Sequence, residues 1–141
     1  LTDTYMAKAA VSPVAKRTLN SNVKCILEMA PEFIEPPSKT RSAIGMKQMW
    51  LDMEAKEEFL VGPVVVIGSA PSALMTLLDL TDEGTKKPSL IIGMPVGFIG
   101  VSESKARLLN SDCSYIVLEG SKGGASIAAA TVNALLKASD Y

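Results

Sequence analysis

Short apolar runs alternate with amphipathic segments along the second half of the chain. The runs in residues 63–67 and 90–92 are mostly β-branched or leucine, and each stops at a glycine. Runs of this kind are typical of strands buried on both faces of a parallel sheet. Residues 71–83 between them show helical spacing. The pattern therefore predicts strand, turn, helix and strand, which together form a right-handed βαβ unit.

The pattern predicts three more elements towards the carboxyl end. Residues 114–118 are a predicted strand, Ser102 caps a predicted helix that ends near Asn110, and a last helix follows Gly123 and Gly124. Small residues on this last helix allow close approach to a sheet or to a partner helix. Its apolar stripe consists of Ala125, Ala128, Ala129, Val132, Leu135 and Leu136.

The first half has a less regular pattern. It predicts a short helix at Met6–Ala10 and, from weak alternation, a strand at Asn22–Leu27. Three prolines in residues 28–39 forbid a continuous helix and predict a loop. The complete set of elements predicts an α/β fold, a three-layer α/β/α sandwich in one domain that spans residues 1–141.

A longer helix is predicted after that loop. Thr40 or Ser42 can cap it, and the helical spacing continues to about Glu57. A methionine and tryptophan stripe on one face is interpreted as core rather than as a ligand-binding surface. The stripe consists of Ala43, Met46, Trp50 and Met53.

Composition narrows the classes of function. The 141 residues carry a formal net charge of −1, so no field attracts nucleic acid or an anionic membrane. No apolar run approaches the roughly 18–20 residues of a membrane span. Cys25 and Cys113 lack the spacing of a metal site and are expected to be reduced thiols of a cytoplasmic protein. The chain contains no histidine, so a serine–histidine nucleophile is excluded within it.

Three glycine turns are the candidate ligand-binding elements. Gly68–Ala70, Gly100–Ser102 and Gly120–Gly124 each precede a predicted helix. Such turns can present backbone N–H groups to an anion, and ligands of open parallel sheets bind at the carboxyl ends of the strands. The alternative is that the glycines only allow tight strand-to-helix connections. The spacing fits neither a dinucleotide-binding fingerprint nor a P-loop.

Several charged residues are candidates for the same site. Arg41, Lys105 and Lys122 can each pair with a substrate carboxylate, or else be solvated surface cations. Asp3 and Glu103 can be general acids only if burial raises their pKa, and are otherwise surface or capping carboxylates.

The motifs at these turns resemble those of the precorrin-8X methylmutase family of cobalamin biosynthesis. The resemblance implies a doubly wound parallel sheet of about five strands in the complete fold, a homodimer, and an acidic tetrapyrrole as substrate. It also implies an isomerase that moves a methyl group between adjacent ring carbons without a separate cofactor. The motifs are Thr2–Met6, Lys39–Ser42, Val65–Leu74, Gly93–Gly100 (GMPVGFIG), Glu103–Lys105 and Gly120–Gly124.

The resemblance also implies which residues bind the substrate. The family's proton donor is a histidine that aligns before Leu1, so the chain is expected to lack an amino-terminal segment and to contain no catalytic residue. No metal ligand is implied. The implied substrate-binding residues are Thr40, Arg41, Ser42, Ser69, Ala70, Pro71, Pro95, Gly97, Phe98, Lys105 and Lys122.

The chain departs from the family pattern at two turns. Ser69 stands where the family usually has asparagine, and Glu119 and Ser121 stand where it usually has arginines. A methylmutase-like isomerase is the leading hypothesis. The alternatives are a diverged or non-catalytic protein that binds a tetrapyrrole or another carboxylate, and a different small-molecule enzyme or structural subunit. A histidine upstream of Leu1 would favour the methylmutase-like isomerase over a non-catalytic binding protein.

Overall fold

A computed structural model of the protein, described for residues 1–34 and 39–139, has a parallel three-stranded sheet between two layers of helices. The predicted α/β/α sandwich is confirmed. Pro36 and Pro37, on which part of the loop prediction rests, lie outside the described residues. The strands are β1 (Gly62–Ile67), β2 (Pro88–Gly93) and β3 (Tyr115–Val117), and the helices are α1 (Tyr5–Leu19), α2 (Arg41–Ala55), α3 (Pro71–Asp82), α4 (Val101–Leu109) and α5 (Ala125–Ala138).

The strands lie in the order β1-β2-β3, and Val65 pairs with Ile91 in the register of the first pair. Parallel hydrogen bonding continues beyond β1 through Thr2, which bridges both Val66 and Cys25. The predicted strand at Asn22–Leu27 is wrong: only Cys25 pairs, and a 3₁₀ helix begins at once with Ile26. The alternation in this segment is too short to show where pairing stops.

Helix α1 is much longer than predicted. It continues to Leu19 with Pro13 inside it, although an interior proline removes one hydrogen bond and usually kinks or ends a helix. Val11 and Ala15 are buried where α1 packs with α5 and the sheet. This tertiary packing offsets the local cost of the proline.

Two cores lie on opposite faces of the sheet. Val65 and Ile67 face α2, α3 and α4, whereas Val66 faces α1 and α5, as the period of two in a strand requires. The methionine and tryptophan stripe of α2 is confirmed as core. Trp50 is fully buried, and its Nε1–H donates to Thr85 Oγ1 at 3.2 Å.

Helix starts follow the predictions with one exception. Thr40 caps α2, because its Oγ1 accepts from the Ala43 N–H at 3.1 Å. Ser102 does not cap α4, because the helix already begins at Val101, directly after Gly100 with φ of 80°. Ala128 on α5 is fully buried within the chain, so that stripe packs on α1 and the sheet, and only Leu135 of it is clearly exposed.

Candidate functional site

The three glycine turns meet at the carboxyl edge of the sheet. We call them turn 1 (Gly68–Ala70, after β1), turn 2 (Met94–Gly100, after β2) and turn 3 (Gly120–Gly124, after β3). The second turn was predicted at Gly100–Ser102, but Val101 and Ser102 already belong to α4. Turn 1 touches the start of α5 so closely that a Cβ on Gly68 would lie 2.5 Å from the Ala125 Cα. The parallel sheet therefore brings together segments that are about 50 residues apart in sequence.

Turn 3 packs directly on turn 2. The Gly124 N–H donates to Met94 O at 3.0 Å, and a Cβ on Gly123 would lie 2.8 Å from Pro95 O. Turn 2 ends beside the start of α3. A Cβ placed on Gly100 would lie 3.5 Å from the Pro71 Cβ. The three turns thus form one continuous surface rather than three separate connections.

Turn 1 is already occupied by a carboxylate of the chain itself. Asp3 is fully buried, and its oxygens accept from the N–H groups of Gly68, Ser69 and Ala70 at 3.0, 2.8 and 2.7 Å. Burial raises the pKa of the Asp3 carboxyl above its ordinary value, while the three N–H donors act in the opposite direction. Asp3 therefore caps turn 1, and the backbone N–H groups of this turn are not free for a ligand.

The starts of α4 and α5 are open by comparison. Among the described residues, no side chain accepts from the first N–H groups of either helix, since Gly100 and Gly124 occupy the two N-cap positions. Uncapped N–H groups and the helix dipole favour a negatively charged group at such a position. The capacity for anion binding predicted for all three turns therefore lies mainly at turns 2 and 3.

Two lysines contribute to turn 3 in different ways. Lys105 is buried, and its Nζ donates to Gly120 O and Lys122 O, both at 2.8 Å. Burial lowers the pKa of the Lys105 amine. The Lys122 side chain is exposed. The structure therefore places Lys105 beneath turn 3 and leaves the Lys122 side chain exposed.

The start of α2 lies next to the start of α3. Thr40 Oγ1 and Ser72 Oγ are 2.6 Å apart, and Arg41 is exposed with its Nε donating to Pro31 O at 2.7 Å. Ser42, in the first turn of α2, is half-buried. A groove of about 680 Å³ runs from Thr40 and Ser72 away from the turns, between α2 and α3. It meets the carboxyl edge only at this end.

Turn 2 carries an exposed apolar segment. Pro95 is buried and Gly97 adopts φ of 137°, and the next two side chains, Phe98 and Ile99, are exposed to 106% and 91%. Further exposed apolar side chains lie on the first turns of α1 and α5, which start at the same edge. We call the set the apolar rim: Tyr5, Met6, Phe98, Ile99 and Ile127.

The remaining candidate residues lie in or next to turn 1 and at the start of α4. Ser69 is exposed, Ala70 and Pro71 are half-buried at the start of α3, and Glu103 is an exposed residue of the first turn of α4. Within the described ranges, no cluster of His, Cys, Asp or Glu side chains could hold a metal ion. None of the described helices is long and apolar enough to cross a membrane.

Sequence reasoning missed the roles of two residues at this site. Ser72, which meets Thr40, was not singled out. Asp3 was considered as an acid or a cap, but its partners lie 65–67 residues away. The only local signal was an aspartate immediately before a helix start, which usually indicates a cap of that helix. Here Thr4 caps α1 instead.

Comparison with known proteins places the chain in a family. The model of the precorrin-8X methylmutase family matches residues 1–138. The chain is 40% identical to a cobalt-precorrin-8 methylmutase of Synechocystis sp., over 95% of the chain and 58% of that relative. It is 42% identical to a precorrin-8X methylmutase of Pseudomonas aeruginosa, over 87% of the chain and 55% of that relative.

A solved structure agrees with these sequence matches. The crystal structure of a precorrin-8X methylmutase from Thermus thermophilus superposes with a TM-score of 0.78 at 30% identity, and the match covers 98% of this chain and 65% of that one. The chain thus spans a little over half the length of the two curated relatives and about two thirds of this structure. The chain belongs to the precorrin-8X methylmutase family.

Proposed function

We propose that the chain forms the substrate-binding part of a precorrin-8X methylmutase, an isomerase of cobalamin biosynthesis. The observation that carries the proposal is the carboxyl edge of the sheet. There, two uncapped helix starts, the exposed Lys122 and the apolar rim lie together, in a chain that the family model matches almost throughout. An acidic tetrapyrrole is a large, largely flat molecule with carboxylates at its periphery, which suits such a surface.

Carboxylates of the substrate would be held at turns 2 and 3. The first N–H groups of α4 and α5 supply hydrogen-bond donors, and Lys122 supplies a full positive charge. Arg41 and the hydroxyls of Thr40, Ser42 and Ser69 lie at the starts of α2 and α3 and can contact a second part of a large ligand. Charge-assisted hydrogen bonds of this kind are about twice as strong as neutral ones.

The apolar rim would cover a face of the macrocycle. Phe98 and Ile99 are almost fully exposed in the described chain, and burying two such side chains contributes about 3–6 kcal/mol before the costs of association. Glu119 and Ser121, where relatives of this family usually carry arginines, weaken the attraction of turn 3 for carboxylates but leave the apolar contact intact.

The reaction is an intramolecular shift, so the protein must orient one tautomer and protonate it. The methyl group leaves one ring carbon and bonds to its neighbour, and no atoms are gained or lost. Asp3 is tied to three N–H groups, and Glu103 is exposed. Neither is suited to donate a proton to a bound ligand, so we assign substrate binding, and not proton transfer, to the described part of this chain.

We further propose a homodimer in the cytoplasm. The apolar rim consists of five exposed apolar side chains in turn 2 and in the first turns of α1 and α5, and a second subunit could share it with the ligand. Cys25 and Cys113 are both unpaired, as is usual in a reducing compartment. Light scattering at tens of micromolar tests the dimer, and a monomer under these conditions would contradict it.

Binding can be tested on the 141-residue chain with hydrogenobyrinic acid, the metal-free product of this reaction class, followed by its visible absorbance. Phe98→Ser should weaken binding by about tenfold while leaving the melting temperature unchanged, because Phe98 is fully exposed. Leu60→Ser is the matched control: Leu60 is 95% exposed but precedes β1, at the opposite edge of the sheet. Equal effects of the two variants would contradict the proposed site.

Turnover is tested separately with precorrin-8X. We expect the 141-residue chain to bind the corrin without converting the substrate; the precorrin-8X methylmutase of Pseudomonas aeruginosa is the positive control for conversion. Turnover by the chain alone would show that the proton donor lies within it.

A further inference from the structure

We propose that Lys105 is a positioning residue that turns two backbone N–H groups of turn 3 towards the ligand. The inference rests on the proposed function for the identity of that ligand, but its geometry belongs to the chain. Lys105 comes from α4 and lies beneath turn 3, where it is 4% exposed. The family resemblance implies that Lys105 binds the substrate, but a side chain buried in this way does not contact it directly.

Both partners of the amine are backbone carbonyls. Nζ donates to Gly120 O and to Lys122 O at 2.8 Å each, and no carboxylate of the described residues forms an ion pair with it. A buried ammonium without an anion is costly unless polar groups solvate it. The two carbonyls do this, so the charge holds both peptide units in one orientation.

The orientation of a carbonyl fixes the orientation of the next N–H group. In a planar trans peptide, C=O and N–H point in opposite directions. The peptides whose carbonyls face Lys105 carry the N–H groups of Ser121 and Gly123. These two N–H groups therefore point away from the buried amine.

Neither N–H group has a backbone acceptor within the described residues, whereas the next one, of Gly124, donates to Met94 O. Two N–H donors in one glycine turn that lack an acceptor can together bind a carboxylate. Lys105 thus supports the anion site at a distance, since its positive charge polarises both peptides in the direction that attracts an anion.

Lys105→Met tests this role because methionine has similar length but cannot hydrogen bond to the carbonyls. We expect about tenfold weaker binding of hydrogenobyrinic acid, whose carboxylates need the two donors. A corrin with its carboxylates converted to amides should bind the variant about as well as it binds the wild type. A variant that is only destabilised would lose affinity for both corrins, which would overturn the proposal.

Lys122→Met is the matched control, because it removes an exposed cation from the same turn. Its loss of affinity should diminish as salt is raised, since exposed charges are screened. The loss in Lys105→Met should persist at high salt, because it reflects hydrogen bonds of reoriented peptides. The same salt dependence in both variants would show that Lys105 acts as a simple charge.

Amide resonances of the wild-type chain give a second measurement that does not depend on the variant folding. Adding hydrogenobyrinic acid should shift the Ser121 and Gly123 amide protons, and the amidated corrin should shift them much less. If the wild type binds the acid without moving these resonances, Lys105 has no such role. If the wild type binds neither corrin, it is the proposed function that fails.

Discussion

Turns 1 and 3 both begin with Gly-Ser, but each binds a buried side chain of the opposite charge. Each is a glycine turn between a parallel strand and a helix at the same edge of the sheet. A buried anion, Asp3, meets the N–H groups of turn 1, whereas a buried cation, Lys105, meets the carbonyls of turn 3. The first arrangement consumes the donors that would bind a ligand, and the second leaves donors on the open side. The sign of the buried partner thus decides whether a glycine turn can receive an anion.

Removing the Asp3 carboxylate from turn 1 should have the largest effect of the substitutions that test this difference. Asp3→Ala leaves three N–H groups without their acceptor, and we expect it to lower the free energy of unfolding by about 3–5 kcal/mol. Denaturation by urea measures the loss. Asp112→Ala is the control, since the Asp112 side chain is 93% exposed and its ion pair within the described residues is a long one to Lys87.

The same variant offers a positive test. Formate is a carboxylate small enough to occupy the space that the Asp3 side chain leaves, so it should restore part of the stability of Asp3→Ala and leave Asp112→Ala unchanged. If formate has no effect on either variant, and Asp3→Asn is as stable as the wild type, the carboxylate does not hold turn 1.

Reversing the charge on the open turn should act on binding rather than on folding. Lys122→Glu should weaken the binding of hydrogenobyrinic acid by about tenfold at low salt, and by less at high salt. Lys137→Glu makes the same change of net charge in the last turn of α5, at the far end of that helix from turn 3. Titration of both variants at two salt concentrations distinguishes a local contact from a general change of charge, which would weaken both equally.

The sequence predicts the second half of the fold well, for a physical reason. The apolar runs of β1 and β2 end at Ile67 and Ile92, so buried apolar residues followed by a glycine mark the carboxyl ends of both strands. The start of β2 was not marked in this way, because the strand begins at Pro88 with the exposed Ser89 and not at Leu90. The helix of Pro71–Asp82 starts at a proline in its first turn, which is a strong local signal. The local sequence of these segments is enough to predict their secondary structure without knowledge of their tertiary contacts.

Elements that depend on distant contacts were not predictable in this way. Helix α1 passes through Pro13 because Val11 and Ala15 pack on another element, and Cys25 pairs only because Thr2 lies beside it. The candidate site likewise has features that local sequence predicts and features that depend on distant contacts. Glycine turns can be located from sequence, but whether they are open depends on Asp3 and Lys105, whose partners follow 65 and 15 residues later.

The smallest effects come from restoring family residues at the two turns. Ser69→Asn restores the usual residue at turn 1, where Asp3 already holds the backbone. Because Ser69 is exposed, we expect stability to change by less than about 0.5 kcal/mol and corrin affinity by less than about twofold. Ser121→Arg restores a guanidinium at turn 3, beside the free donors, and should raise affinity by about threefold to tenfold.

The two substitutions together measure the difference between the turns. Both replace an exposed serine, so neither should alter the core, and circular dichroism and the melting temperature confirm that. Since the arginine acts partly through charge, Ser121→Gln provides the uncharged counterpart and should give little of the gain. A larger gain from Ser69→Asn than from Ser121→Arg would mean that turn 1, despite its internal carboxylate, is the turn that receives the ligand.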